Sequence, residues 1–221
     1  MQLSNLIDLL PEFGKAFGET FYMMAVSVGV AFVAGIPLGV LLFITSKGLF
    51  LQNRFFNVVL GSLANIIRSV PYIILLVALI PLTKLLAGTT IGPGAASVSL
   101  SAAAIPFFAR LVESSLREVD KGVIEAAIAS GASPWLIIRE VLLPEARPSI
   151  VLALTVTIIS LLGYTAMAGI VGGGGIGDLA IRFGYYRFQT EVMVATVAIL
   201  VILVQVIQFA GDRVARAIDK R

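Results

Sequence analysis

Residues 120–149 read DKGVIEAAIASGASPWLIIREVLLPEARPS, and this stretch decides what kind of fold the chain can adopt. It is the longest run in which charged and apolar residues alternate, and the segments on either side are too apolar and too long for a soluble domain. Within it, Gly122–Ser130 has the pattern of a short amphipathic helix. Ile124, Ala127 and Ile128 share one face, and Glu125 lies in the first turn, where a negative charge complements the helix dipole. Gly131 fits a helix C-cap. Ser133 and Pro134 fit the N-cap and first residue of a second helix, which the sequence carries to about Leu142, before Pro144. The expectation is two short helices joined at a glycine, a compact knob in water. The alternative is a plain connecting loop, for which the stretch is long.

Outward from this stretch the chain is greasy. Of 221 residues, 58% are hydrophobic and 13% charged, against roughly 25% charged in soluble domains. Mean hydropathy is +1.01. No charge appears from Phe21 to Ser46, ample for a spanning helix. Gly35 and Gly39 form a GxxxG pair there, either a close helix contact or a chance spacing. Phe55 to Leu82 is apolar apart from Arg68, and Pro71 follows three residues later. An arginine at membrane depth costs at least about 2.5–3.5 kcal/mol, and a proline removes a backbone hydrogen bond. The pair marks either a helix discontinuity facing the bundle or a late helix start with Arg68 reaching the surface. The third span runs from about Ala95 to Phe108 and continues as helix into Arg110 and Glu113. The fourth is Ile150–Ile170, ending in the glycines 172–177, and the fifth is Val192–Gly211.

Residues 1–19 place Leu3, Leu6, Ile7, Leu10, Phe13 and Phe17 at near-helical spacing among charges. They read as a short helix on the membrane surface, started or kinked at Pro11, or as a frayed terminus. No cleavable signal peptide shows in residues 1–20. The expected organisation is a single transmembrane domain over 1–221, with this interfacial helix and a water-side region at 117–148. Five spans put the ends on opposite sides. The loop 47–54, the stretch 110–147 and the tail 212–221 hold 11 of the 16 Lys and Arg. The positive-inside rule therefore places the C-terminus and the 110–147 stretch in the cytoplasm and the N-terminus outside.

Several chemistries are missing. The chain has no Cys and no His, so thiolate metal sites, disulfides and the commonest metal ligand are excluded. No catalytic or metal-binding residues are expected. The net charge of +3 reflects loop charges rather than nucleic-acid binding. Residues 172–177, GGGGIG, fit G-x-G-x-x-G literally, but an apolar span precedes them where a strand is needed, so a turned or flexible loop is expected. There is no P-loop. The span interiors lack Asp, Glu and His, the usual proton relays. A carrier so built couples to sodium through backbone and hydroxyl ligands, or takes its energy from another protein.

The water-side stretch also carries a motif. Glu125-Ala126-Ala127, three residues, Gly131, nine residues, then Val141-Leu142-Leu143-Pro144 resembles the EAA motif of ABC importer permeases, EAA-x3-G-x9-I-x-L-P, departing only at Val141. Arg68-Ser69-Val70-Pro71 with Tyr72–Leu76, Gly163–Met167, Val171–Gly177 and Gln208–Arg213 further resemble the methionine-importer branch of those permeases, and the likeness covers nearly the whole chain.

The resemblance implies an all-α type I permease of a bacterial cytoplasmic (inner) membrane, with about five transmembrane helices. It implies a homodimer driven by two cytoplasmic ABC ATPase subunits and supplied by an extracytoplasmic substrate-binding (lipo)protein. ATP and magnesium would be bound by the ATPase, so this chain holds no cofactor and is a transport subunit, not an enzyme. Glu125, Ala126, Ala127 and Gly131, with Val141, Leu143 and Pro144, would couple to the ATPase. Arg68, Ser69, Pro71, Tyr164 and Met167 would belong to the pathway or gate, Met167 being an adaptable apolar side chain suited to a dry gate. The alternatives are a permease for another small solute, such as a polar amino acid or dipeptide, and an ion-coupled carrier or channel.

Overall fold

The computed structural model describes residues 9–219, and among these it contains helices and no β-strand. The helices are α1 Leu10–Ile44, α2 Arg54–Ser69, α3 Tyr72–Ala78, α4 Ile80–Ala87, α5 Pro93–Arg117 and α6 Lys121–Ala129. They continue as α7 Pro134–Ile170, α8 Gly175–Leu179, which runs on as a π-helical turn over Ala180–Tyr185, and α9 Thr190–Ile218. Four of them, α1, α5, α7 and α9, are long and apolar enough to cross a membrane. A fifth span results if α2 and α3, bent at their junction, count as one. The architecture is all-helical as expected, with four spans, or the expected five if the bent pair is one.

Three boundaries differ from the sequence reading. Residues 10–20 do not form a helix of their own. They are the start of the 35-residue α1, with Pro11 in its first turn, where a missing N–H costs nothing. Residues 1–8 of the expected surface helix lie outside the described residues. The stretch 55–82 breaks at Val70 and Pro71, as the discontinuity reading has it, but it breaks a second time where Leu79 separates α3 from α4. The second helix of the expected knob does not stop before Pro144. It passes through a π-helical segment, Ile137–Leu142, into the 28 residues Leu143–Ile170. Pro144 lacks the amide that an α-helix would direct four residues back. The wider turn just before it, in which the Leu143 N–H donates to the Ile138 carbonyl, carries the helix past the gap.

The chain divides into two compact units. Among the described residues, the first comprises 9–29, 70–104 and 158–208. It holds a core of Ala16, Ile176, Leu179, Phe183 and Val192, with Leu9, Phe13 and Leu200 packed on it. The second comprises residues 30–69, 105–157 and 209–219. There the Gly35/Gly39 pair of α1 lies against α5. A Cβ at Gly35 would stand 2.8 Å from the Phe108 ring, and one at Gly39 would stand 2.6 Å from the Ala109 carbonyl and 2.7 Å from Val112. The close-contact reading of GxxxG is the right one. Phe108 and Val112 are fully buried by it.

Candidate functional site

In the second unit the stretch expected on the water side begins with a well-made helix. Asp120 caps α6, its carboxylate accepting from the Gly122 N–H at 2.6 Å. At the other end the Gly131 N–H donates to the Ile128 carbonyl (2.9 Å) and the Ala132 N–H to the Ala127 carbonyl (3.1 Å). This is the double bond pattern of a Schellman cap, and it requires a residue with positive φ. Gly131 supplies φ = +77°. Ser133 then caps α7, its hydroxyl accepting from the Leu136 N–H, and Pro134 is the first helical residue. Buried Ile124 sits on the face that packs against the π-helical segment, where Ile137 and Leu142 are also buried.

This geometry divides the candidate coupling residues. Glu125, Ala126 and Gly131 are exposed and Ala127 is half-buried, so the first half of the motif faces outward on α6. Val141, Leu143 and Pro144 are half-buried in α7, around the π-to-α junction. The second half supports α6 rather than lying beside its exposed face.

The same unit contains an ion cluster that the sequence reading passed over. Glu113 is only 5% exposed. Arg110 Nη1 donates to its Oε2 and Arg117 Nη2 to its Oε1, each at 2.6 Å. Arg110 Nη2 also donates to the Gly61 carbonyl on α2 at 2.8 Å. A Cβ at Gly61 would stand 2.9 Å from that nitrogen. The i, i+3 and i+4 spacing of Arg110, Glu113 and Arg117 on one helix was the available signal. Arg68 and Ser69 also belong to this unit. Both are exposed; the Arg68 guanidinium lies 5.9 Å from the centre of the Phe107 ring, and the Ser69 hydroxyl donates to the Asn65 carbonyl.

In the first unit, Pro71 begins α3 in an extended conformation (φ −54°, ψ 135°), and its carbonyl accepts from the Ile74 and Leu75 N–H groups. That places buried Tyr72 at the head of α3. Its ring stacks on Tyr164, centroids 4.6 Å apart and planes within 8°. Its hydroxyl shares a 3.1 Å hydrogen bond with the Ser99 hydroxyl on α5. Tyr164 is half-buried, and Met167, one turn further along α7, is 42% exposed. Of the candidate pathway residues, Pro71, Tyr164 and Met167 thus share one unit. Tyr72 is the unpredicted member that holds Tyr164.

The glycine run also resolves here. Gly172, Gly174 and Gly175 have positive φ, and the Gly175 N–H donates to Glu19 Oε2 (2.8 Å) while the Ile176 N–H donates to Thr20 Oγ1 (2.9 Å). A Cβ at Gly177 would collide with Ala166, and one at Gly169 with Asp178. The run is a tight turn tied to α1 by side chains of the chain itself. Among the described residues no group of His, Cys, Asp and Glu is placed to hold a metal.

Comparison with protein families matches residues 21–221 to the "Binding-protein-dependent transport system inner membrane component". The chain belongs to this family. As an inner membrane component it is similar to the probable D-methionine transport system permease protein MetI of Vibrio cholerae, with 52% identity over 92% of this chain and 90% of that one. It is also similar to the methionine import system permease protein MetP of Bacillus subtilis, with 47% identity over 96% of each. Among solved structures, a chain of the MetNI methionine ABC transporter in inward-facing conformations superposes with a TM-score of 0.95. The identity there is 46%, covering 96% of this chain and 99% of that one. A chain of an amino acid ABC transporter crystallised with histidines superposes at 0.81 with 19% identity, a likeness of fold alone. The fold of this inner membrane component is that of the type I ABC importer permease.

Proposed function

We propose that the chain is the membrane-spanning permease of an ATP-driven importer for methionine or a close derivative. Two copies form the pathway, two ABC ATPase subunits drive it from the cytoplasm, and an extracytoplasmic binding protein delivers the solute. The observation that carries this reading is the coupling region. A short capped helix presents Glu125 and Ala126 outward, and the helix it packs on, α7, is long enough to cross the membrane. The methionine assignment rests on relatives named for methionine or D-methionine transport at 52% and 47% identity.

In this reading the cytoplasmic side holds α6 and the C-terminus, and the N-terminus is outside, as the Lys and Arg distribution favours. ATP and magnesium reside in the ATPase. The permease converts closure of the ATPases into movement of α6 and α7, and the Tyr164–Met167 face of α7 lines the gate. Most of the solute discrimination belongs to the binding protein.

The test is uptake into proteoliposomes containing the permease, its ATPase and the binding protein. ATP-dependent methionine uptake is the expected result. Deleting residues 122–131, or Glu125→Lys, should abolish it while the chain stays in the membrane. Uptake of a dipeptide or polar amino acid in preference to methionine would move the assignment within the family. Gradient-driven flux from the chain alone would overturn the ATPase-driven reading.

A further inference from the structure

The chain contains a single tryptophan, Trp135, and it is 69% exposed. Leu136 beside it and Val123 and Ile128 on α6 are exposed as well. Four large apolar side chains thus stand out from the water-side region, around a short helix whose buried face is already packed. In a spanning protein an exposed Trp most often sits in the headgroup layer, and the geometry of α7 excludes that here. Ile150–Ile170 is the uncharged part of α7 and has the length, about 20 residues, that fills the hydrocarbon core. Trp135 lies fifteen residues earlier on the same unbroken helix. At 1.5 Å per residue that is about 22 Å along the axis. The headgroup layer is only about 5–8 Å thick on each side. Arg139, Glu140, Glu145 and Arg147 lie between Trp135 and Ile150, and four charges in that interval also place it in water.

We infer that Trp135, with Leu136 and Ile128 around it, is the main energetic anchor of this chain in an apolar socket of the ABC ATPase subunit. This rests on the permease reading above and extends it, since Trp135 falls among the nine unspecified residues between Gly131 and Val141 and none of the motif's named positions includes it. The EAA side chains on α6 are small or carboxylate: Glu125, Ala126 and Ala127 offer close approach and charge but little apolar area. An exposed Trp in a contact centre supplies the large desolvated surface that dominates binding energy. Trp135 is the second residue of α7, after its Ser133 cap and Pro134, so force applied to it enters that long helix at its end. The short helix fixes register and Trp135 holds the partner on.

The test uses the full chain in nanodiscs of phosphatidylethanolamine and phosphatidylglycerol, titrated with the purified ATPase subunit. Trp135→Ala should weaken ATPase affinity at least about 30-fold, the ratio for a contact hot spot, while Trp135→Phe stays within about threefold. A Trp135→Ala affinity within threefold of wild type overturns the inference and leaves the permease reading standing. Failure of the wild-type chain to bind the ATPase overturns that reading and the inference together. A measurement on unmutated protein guards against a folding defect. Emission of Trp135, taken as the difference from Trp135→Phe complexes, should be shielded from acrylamide by the ATPase and untouched by nitroxide-headgroup lipid. Strong nitroxide quenching would mean that lipid covers the patch. Conversion of Trp135→Ala to monomers at unchanged ATPase affinity would mean that a second copy covers it. Either result overturns the inference.

Discussion

Tyr72 and Tyr164 lie face to face, ring centroids 4.6 Å apart and planes within 8° of parallel, and the Tyr72 hydroxyl is tied to Ser99. The half-buried Tyr164 therefore has its orientation set by a residue from another helix, which is itself fixed by a third. Such a stack contributes about 0.5–1.5 kcal/mol beyond area burial, and the hydrogen bond about 1 kcal/mol. Tyr72→Phe keeps the stack and should lower ATP-driven methionine uptake less than about fivefold. Tyr72→Leu loses both terms, each about 1 kcal/mol, and should lower uptake by tenfold or more. Ser99→Ala should match Tyr72→Phe. Initial uptake rates in proteoliposomes check the order of the three.

The Glu113 cluster should govern stability. Removing one partner from a buried ion pair costs about 3–5 kcal/mol, and the partial exposure of both arginines brings the expected loss for Glu113→Gln to about 2–3 kcal/mol. Arg110→Lys should cost nearly as much. A lysine cannot span Glu113 and the Gly61 carbonyl with the planar fork that makes both bonds. Gly61→Ala should disturb the same bond by displacing the guanidinium. Thermal unfolding in detergent would show the midpoints fall.

Glu19→Ala should loosen the glycine turn. It leaves the Gly175 N–H without its carboxylate acceptor, a loss of about 1–3 kcal/mol for a partly buried donor. Hydrogen–deuterium exchange should speed up in peptides covering 172–177 and stay unchanged in those covering α6. Gly174→Ala should do the same or worse, because its Cβ would strike the Glu19 carboxylate at a backbone angle of φ = +77°.

Gly131→Ala forces a Cβ into the left-handed region, which costs about 1–2 kcal/mol. No side chain crowds the position, so the penalty is conformational and should be milder for Gly131→Asn. The expected phenotype is a folded, membrane-inserted permease whose uptake falls more steeply for Ala than for Asn. Parallel measurements of uptake and of protein level in the membrane separate uncoupling from loss of protein.

Features that depend on a few neighbouring residues were legible in the sequence. The Gly131 cap and the Ser133–Pro134 helix start follow from local backbone chemistry, while the break at Pro71 and the Gly35/Gly39 contact face were each one of two readings that spacing left open. Pro144 misled because a local rule, that proline stops a helix, is overridden when a π turn precedes it. The Tyr72–Tyr164 stack and the Glu19–Gly175 tether join residues far apart in the chain, and nothing in either local segment names the other. The Arg110–Glu113–Arg117 spacing was visible, yet helix spacing alone does not reveal that Glu113 is buried.

The Glu19 tether has one more consequence. Successive amides in a left-handed glycine turn form an anion receptor, the kind of concavity that holds phosphate in unrelated proteins. Here two successive amides are filled from within, Gly175 by the Glu19 carboxylate and Ile176 by the Thr20 hydroxyl, both carried on α1. A pattern search sees a nucleotide cradle; the molecule has a self-liganded one, its two amides closed to outside anions for as long as Glu19 and Thr20 stay in place.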